Sequence, residues 1–146
     1  MQAEGSPMYS HRSTDRSQKT VLIVDDEESI RASLGRFLTS QGYQVQTADS
    51  AEVAAILIRK QPVHAIVLDV RMPTLSGLNL LEWLHTEPDL AVKAIRVLIL
   101  TGHSLTDLET NLVQRYRVLM FQKPVRVQEI VEALDAALIE EPEDQA

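Results

Sequence analysis

The sequence predicts an α/β fold, a parallel five-stranded sheet with helices on both faces. Three observations predict it. From Lys19 onward, five short apolar runs alternate with five amphipathic helical patterns. The runs TVLIV, HAIVL and IRVLIL are apolar almost throughout, as strands covered on both faces are. Strict strand–helix alternation favours parallel pairing through right-handed crossovers.

The elements follow in order. Thr20–Val24 is the first strand. Ile30, Leu34, Phe37 and Leu38 then share one helical face, and Gly42 follows as a C-cap. Tyr43–Thr47 alternates in polarity and reads as a half-covered second strand. Asp49 or Ser50 caps the next helix, with Ala54, Leu57 and Ile58 facing inward and Pro62 stopping it. His64–Leu68 is the third strand. Leu78, Leu81 and Leu84 mark a third helix, ended before Pro88. Ile95–Leu100 is the fourth strand, and Leu105, Leu108 and Leu112 mark a fourth helix. Val118–Gln122 is the fifth strand. Val127, Ile130, Val131, Leu134 and Leu138 form the strongest apolar helix face. The chain thus divides into a flexible polar lead-in (1–18), one domain (19–139) and an acidic tail (140–146).

Composition narrows the function. The 146 residues are 45% hydrophobic and 24% charged, which suits one globular domain. The chain has no cysteine, excluding disulfides and thiol chemistry and fitting a reducing cytoplasm. A net charge of −7 argues against direct nucleic-acid binding. No apolar run approaches a membrane span, so no membrane insertion is expected. The five glycines form no phosphate-cradling motif.

In such sheets ligands bind beyond the carboxyl ends of the strands. There the sequence places Asp25-Asp26 after strand one, Asp69 after strand three, Thr101 after strand four and Lys123-Pro124 after strand five. Taken singly, most have plain readings. Asp25-Asp26 reads equally as an N-cap pair, Lys123 as a solvated surface residue and Pro124 as a first helical residue. Asp69, closing an apolar run, is harder to explain so, because charges are seldom buried unpaired. Together they place three carboxylates, one hydroxyl and one ammonium on one edge. Clustered carboxylates resist ionisation unless a cation joins them. With oxygen donors and neither histidine nor cysteine at ligand spacing, magnesium is the expected metal. A carboxylate nucleophile, a metal, a lysine and a threonine hydroxyl suit phosphoryl transfer.

These pieces, VLIVDDEE, VLDVRMPTLSGL, LILTGH and KPV, resemble bacterial two-component response-regulator receiver domains of the single-domain, chemotaxis-regulator-like kind. The resemblance covers roughly Lys19 to Ile139. It implies a flavodoxin-like (βα)5 fold with strand order 2-1-3-4-5. It implies Asp69 as phosphoacceptor, Thr101 as the residue sensing the phosphoryl group, and Lys123 as its ion-pair partner. Magnesium, or manganese in its place, would be held by Asp26, by Asp25 mostly through water, by Asp69 and by the Arg71 backbone carbonyl. A cis Lys123–Pro124 bond is expected, as are Met72, Pro73 and Gly77 in the turn after the acceptor. Small Gly102 leaves the phosphoryl group accessible, and His103 and Arg71 flank it as modulators. The donor would be a sensor histidine kinase or a histidine phosphotransfer protein. The recipient would be a downstream protein partner or an output domain, engaged through the fourth helix, fifth strand and fifth helix. The chain would be a switch rather than an enzyme, catalysing only its own phosphorylation and dephosphorylation.

Two stretches depart from the family pattern. An aromatic residue usual three positions before the lysine is here Met120, with Phe121 next. Either Met120 fills the switch pocket, a bulge brings Phe121 into it, or both are core residues. Tyr116 and Arg117 replace a usual pair of small residues, as a partner-specific surface or as drift. An interaction module without phosphorylation is the alternative reading.

Overall fold

The structure, a computed structural model, describes residues 15–69, 76–102, 110–111, 114–116 and 118–139. The strands are β1 (Thr20–Val24), β2 (Gln44–Ala48), β3 (Ala65–Asp69), β4 (Arg96–Thr101) and β5 (Leu119–Gln122). All pair in parallel, in the order β2-β1-β3-β4-β5. The helices are α1 (Glu28–Ser40), α2 (Ala51–Lys60), α3 (Ser76–Thr86), the single-turn α4 (Leu90–Lys93) and α5 (Val127–Leu138). The helix expected around Leu105, Leu108 and Leu112 falls outside the described residues, although residues 110–111 and 114–115 are helical.

The sheet divides the core in two because successive strand residues point to opposite faces. Leu22, Val24, Ile66, Leu68 and Ile99 pack with Ala54 and Ile58 of α2 and Leu81 and Leu84 of α3. Val21, Ile23, Val67, Leu98 and Leu100 pack with Leu34 and Leu38 of α1 and Ile130, Val131 and Leu134 of α5. Every residue of β3 is buried, as its unbroken apolar run requires.

Several boundaries differ from the sequence reading. β2, β3 and β4 each begin and end one residue later than the apolar pattern suggests. His64 stays out of β3, and its Nδ1 accepts a hydrogen bond from Thr20 N at 3.0 Å. Ile30 and Val127, read as core, are 37% and 41% exposed in the first turns of α1 and α5. Gly77 lies in the first turn of α3, not in the turn before it. Ser50, not Asp49, caps α2 by accepting from Val53 N. α4 is one turn long, too short for periodicity to reveal; Asp89 caps it by accepting from Ala91 N. Among the described residues no helix is long and apolar enough to cross a membrane.

Ahead of β1, Arg16–Gln18 form a single 3-10 turn, which the polar composition of that stretch did not announce. Arg16 grips Asp135 of α5 with two hydrogen bonds, from Nε at 3.0 Å and from Nη2 at 2.6 Å. Its Nη1 donates to Gln41 O at 2.7 Å, and Tyr43 Oη donates to Asp135 Oδ1 at 2.6 Å. Gly42 follows at φ +106°, a backbone conformation that side chains rarely adopt, which is why the turn between α1 and β2 takes glycine here.

Burial alone would raise the Asp135 pKa, but the hydrogen bonds from Arg16 and Tyr43 outweigh it and hold the carboxyl below its ordinary value of 3.8. A depressed folded pKa makes this stabilisation complete above the ordinary carboxylate range. It is lost as pH falls through the folded value. Asp135→Asn is expected to cost about 1–2 kcal/mol near neutrality, partial exposure included. Denaturant titrations of both proteins, carried from neutrality into acid, should show this gap closing in acid. A gap that persists unchanged would refute the ionic account.

Candidate functional site at the carboxyl edge of the sheet

Strand register assembles the site. Val24 lies beside Leu68, so the chain leaving β1 brings Asp25 alongside Asp69, the last residue of β3. Thr101 is the last residue of β4 and pairs with Gln122, one residue before Lys123. The Lys123 N–H donates to Thr101 O at 2.6 Å. The central residues are polar yet sealed: Asp25, Asp69 and Thr101 are 3%, 2% and 2% exposed.

Their partners explain how such groups are tolerated. Lys123 Nζ lies 3.1 Å from Asp69 Oδ2, joining β5 to β3 by a partly buried ion pair. Asp25 Oδ1 accepts from Glu27 N at 2.9 Å, a local turn bond of the kind aspartate favours before a helix. Arg31, within α1, donates from Nη1 to Asp25 O at 2.7 Å. Burial raises the Asp25 pKa above the ordinary carboxylate range. The Glu27 N–H and Lys123 oppose the rise, while the charge of Asp69 and a hydrogen bond with it add to it.

Of the three carboxylates expected to converge, the structure brings together Asp25 and Asp69. Asp26, in the bend after β1, is exposed. Among the described residues no group of three or more His, Cys, Asp or Glu side chains gathers closely enough to hold a metal. The chemistry of the pair still fits a hard divalent cation. Two adjacent buried carboxylates share one ammonium, and every side-chain donor is oxygen. Arg71, Met72, Pro73 and His103 lie outside the described residues. Gly102 is exposed beside Thr101. The Lys123–Pro124 peptide is cis, and Pro124 precedes Arg126, the N-cap of α5, rather than opening that helix.

The β4–β5 register runs unbroken from Leu98↔Leu119 to Thr101↔Gln122, which rules out a bulge at Phe121. Phe121 packs against the core beneath α1 and α5. Met120 is 47% exposed rather than filling a buried pocket. Tyr116 is half-buried: its ring lies 4.2 Å from that of His85 in α3, so it packs between elements. Sequence reasoning missed the contribution of Arg31, which no spacing signal marks. The Glu27 bond was latent in the Asp-x-Glu turn.

Comparisons with known proteins identify the family and the fold. Residues 21–135 match the family described as the response regulator receiver domain. The chain is similar to the probable transcriptional regulator ycf27 of Porphyra purpurea, 38% identical over 95 residues, covering 65% of this chain and 39% of that one. It is also similar to the transcriptional regulatory protein FixJ of Rhizobium meliloti, 35% identical over 118 residues, covering 81% and 56%. The chain therefore spans 39% to 56% of the length of these relatives. Among solved structures, a response regulator receiver protein from Pseudomonas putida is 28% identical with a TM-score of 0.72, covering 81% of this chain and 96% of that one. The chemotaxis protein CheY4 of Vibrio cholerae is 25% identical, also with a TM-score of 0.72, covering 82% and 98%. By its sequence, its sheet order and these likenesses, the chain belongs to the response regulator receiver family of two-component signalling.

Proposed function

We propose that this receiver takes a phosphoryl group onto Asp69 and uses it to switch a protein interaction. The observation that carries the reading is the buried set of Asp25, Asp69 and Thr101 at one sheet edge, with Lys123 on Asp69. An Asp69 carboxylate oxygen attacks the phosphorus of a phosphohistidine on a sensor kinase or phosphotransfer protein. The new O–P bond forms as the P–N bond breaks, and the released imidazole regains its proton from solvent. Charge on the transferring oxygens meets the Lys123 ammonium and the Thr101 hydroxyl. The lysine leaves one carboxylate oxygen to stabilise the phosphoryl group. Asp25, Asp26, Asp69 and the Arg71 carbonyl are the proposed holders of magnesium, or of manganese. When bound, the ion supplies positive charge to the phosphoryl oxygens and relieves the carboxylate repulsion. Water later hydrolyses the acyl phosphate; small Gly102 leaves it accessible, and His103 is a candidate modulator of its lifetime.

Output in this reading passes through β5, α5 and the segment around Leu105–Leu112, to a downstream protein or an output domain. Exposed Leu119, Met120 and Val127 on β5 and α5 support such a surface. One observation favours the alternative of an interaction module indifferent to phosphate: no aromatic side chain stands at Met120. Partner binding measured with and without beryllium fluoride separates the two, equal affinity favouring the module.

Incubation with acetyl phosphate and magnesium, read by intact mass, is expected to add one phosphoryl group to the wild type. It should add none to Asp69→Asn or after chelation. Lys123→Met should slow the labelling by about tenfold or more, the scale of losing one charged stabiliser. Labelling that persists in Asp69→Asn would move the acceptor elsewhere.

The crowded pair also bears on stability. Asp25→Asn removes one of two adjacent buried carboxylates and should stabilise the metal-free protein by about 1 kcal/mol. Thermal melts in chelator, and separately in magnesium, test this. A destabilised variant in chelator would show that Asp25 is held mainly by its turn bond to Glu27.

A further inference from the structure

At the amino edge of the sheet, opposite the proposed site, lies an open groove of about 600 Å³. Three of the elements lining it bring a basic residue: Lys19 ahead of β1, Lys60 closing α2, and Arg96 opening β4. Among the described residues no carboxylate pairs with any of these three. Arg59 also lines the groove but is engaged, 3.6 Å from Glu87 and over the Trp83 ring. His64 is held by the Thr20 N–H, and burial together with Lys19 lowers its pKa. Asp89 is the acid in the lining, and it caps α4. The groove is thus a cationic recess within a chain of net charge −7.

Ala137 and Leu138 of α5 line the same groove. Ile139 follows, and then Glu140, Glu141, Pro142, Glu143 and Asp144. We propose that this acidic segment, residues 140–144, docks in the groove, its carboxylates meeting Lys19, Lys60 and Arg96. Residues 140–144 span about 17 Å when extended, enough to run along a groove that begins at their own root. Each contact is a solvent-exposed ion pair, weak by itself. Tethering compensates, because a short covalent link gives the segment an effective concentration on the order of millimolar. Contacts too weak to hold a free peptide therefore populate the docked state. Docking neutralises in cis a basic surface that would otherwise attract acidic partners, and it leaves the carboxyl edge open.

The absence of cysteine permits a clean test. Ala146→Cys carries a single nitroxide, and paramagnetic broadening of backbone amides is read by NMR on the full chain. The amides of Lys19, Lys60, His64 and Arg96 should broaden more than those at the opposite edge, such as Gly102 and Lys123. The effect should fall to that of a freely sampling tether at molar salt, where the screening length is about 3 Å, and in Lys60→Glu/Arg96→Glu. A chain with the tail acids changed to Glu140→Lys and Glu141→Lys should restore it in that variant. No broadening at the groove, or broadening unchanged by salt, would overturn the proposal. A mixed sample, isotope-labelled chain without nitroxide plus unlabelled chain with it, separates the remaining occupant. Broadening of equal strength there would place the segment in a second copy and overturn docking in cis.

Discussion

Asp25 and Asp69 stand side by side, sealed from water at the carboxyl edge of the sheet. Two carboxylates so placed resist ionising together, and burial makes each charge dearer still. The surrounding structure supplies the counterweights. β5 brings Lys123 to Asp69, the turn after β1 turns the Glu27 N–H onto Asp25, and α1 reaches back with Arg31 to the Asp25 carbonyl. The remaining imbalance is of the kind that a hard divalent cation relieves.

Such a cluster needs a rigid support. β1 and β3 provide it, because each is packed on both faces and feeds alternate side chains to two separate cores. A slip of one residue would exchange the two cores and move Asp69 out of line with Asp25 and Thr101. The register that fixes the hydrophobic layers therefore also fixes the polar edge. At the far end, the Arg16–Asp135–Tyr43 cluster joins the turn before β1 to α5. α5 also packs over β1, so the first strand is held from its entry as well as along its length.

β5 contrasts with this support. It is an edge strand with Leu119 and Met120 exposed and Phe121 half-buried. Edge strands with apolar side chains invite a partner or a covering element. At Met120 this strand carries an exposed methionine in place of an aromatic ring, while Phe121, its neighbour, packs inward against the core.

The sequence by itself determined the strand–helix alternation, the buried character of β1, β3 and β4, and the placement of Asp25, Asp69, Thr101 and Lys123 at strand ends. These follow from local periodicity, which reads directly as burial and position. Its errors were also local: Ile30 and Val127 satisfy an apolar helix pattern but sit in first turns where that pattern carries little information about depth. Only the tertiary structure decided that Asp25 turns inward while Asp26 stays in solvent, that Phe121 belongs to the core, and that Tyr116 packs on His85. It alone joined Arg16 to Asp135, 119 residues apart. Such pairings depend on how distant elements dock, and no spacing along the chain encodes the distance between two side chains that meet only when the sheet is closed by its helices.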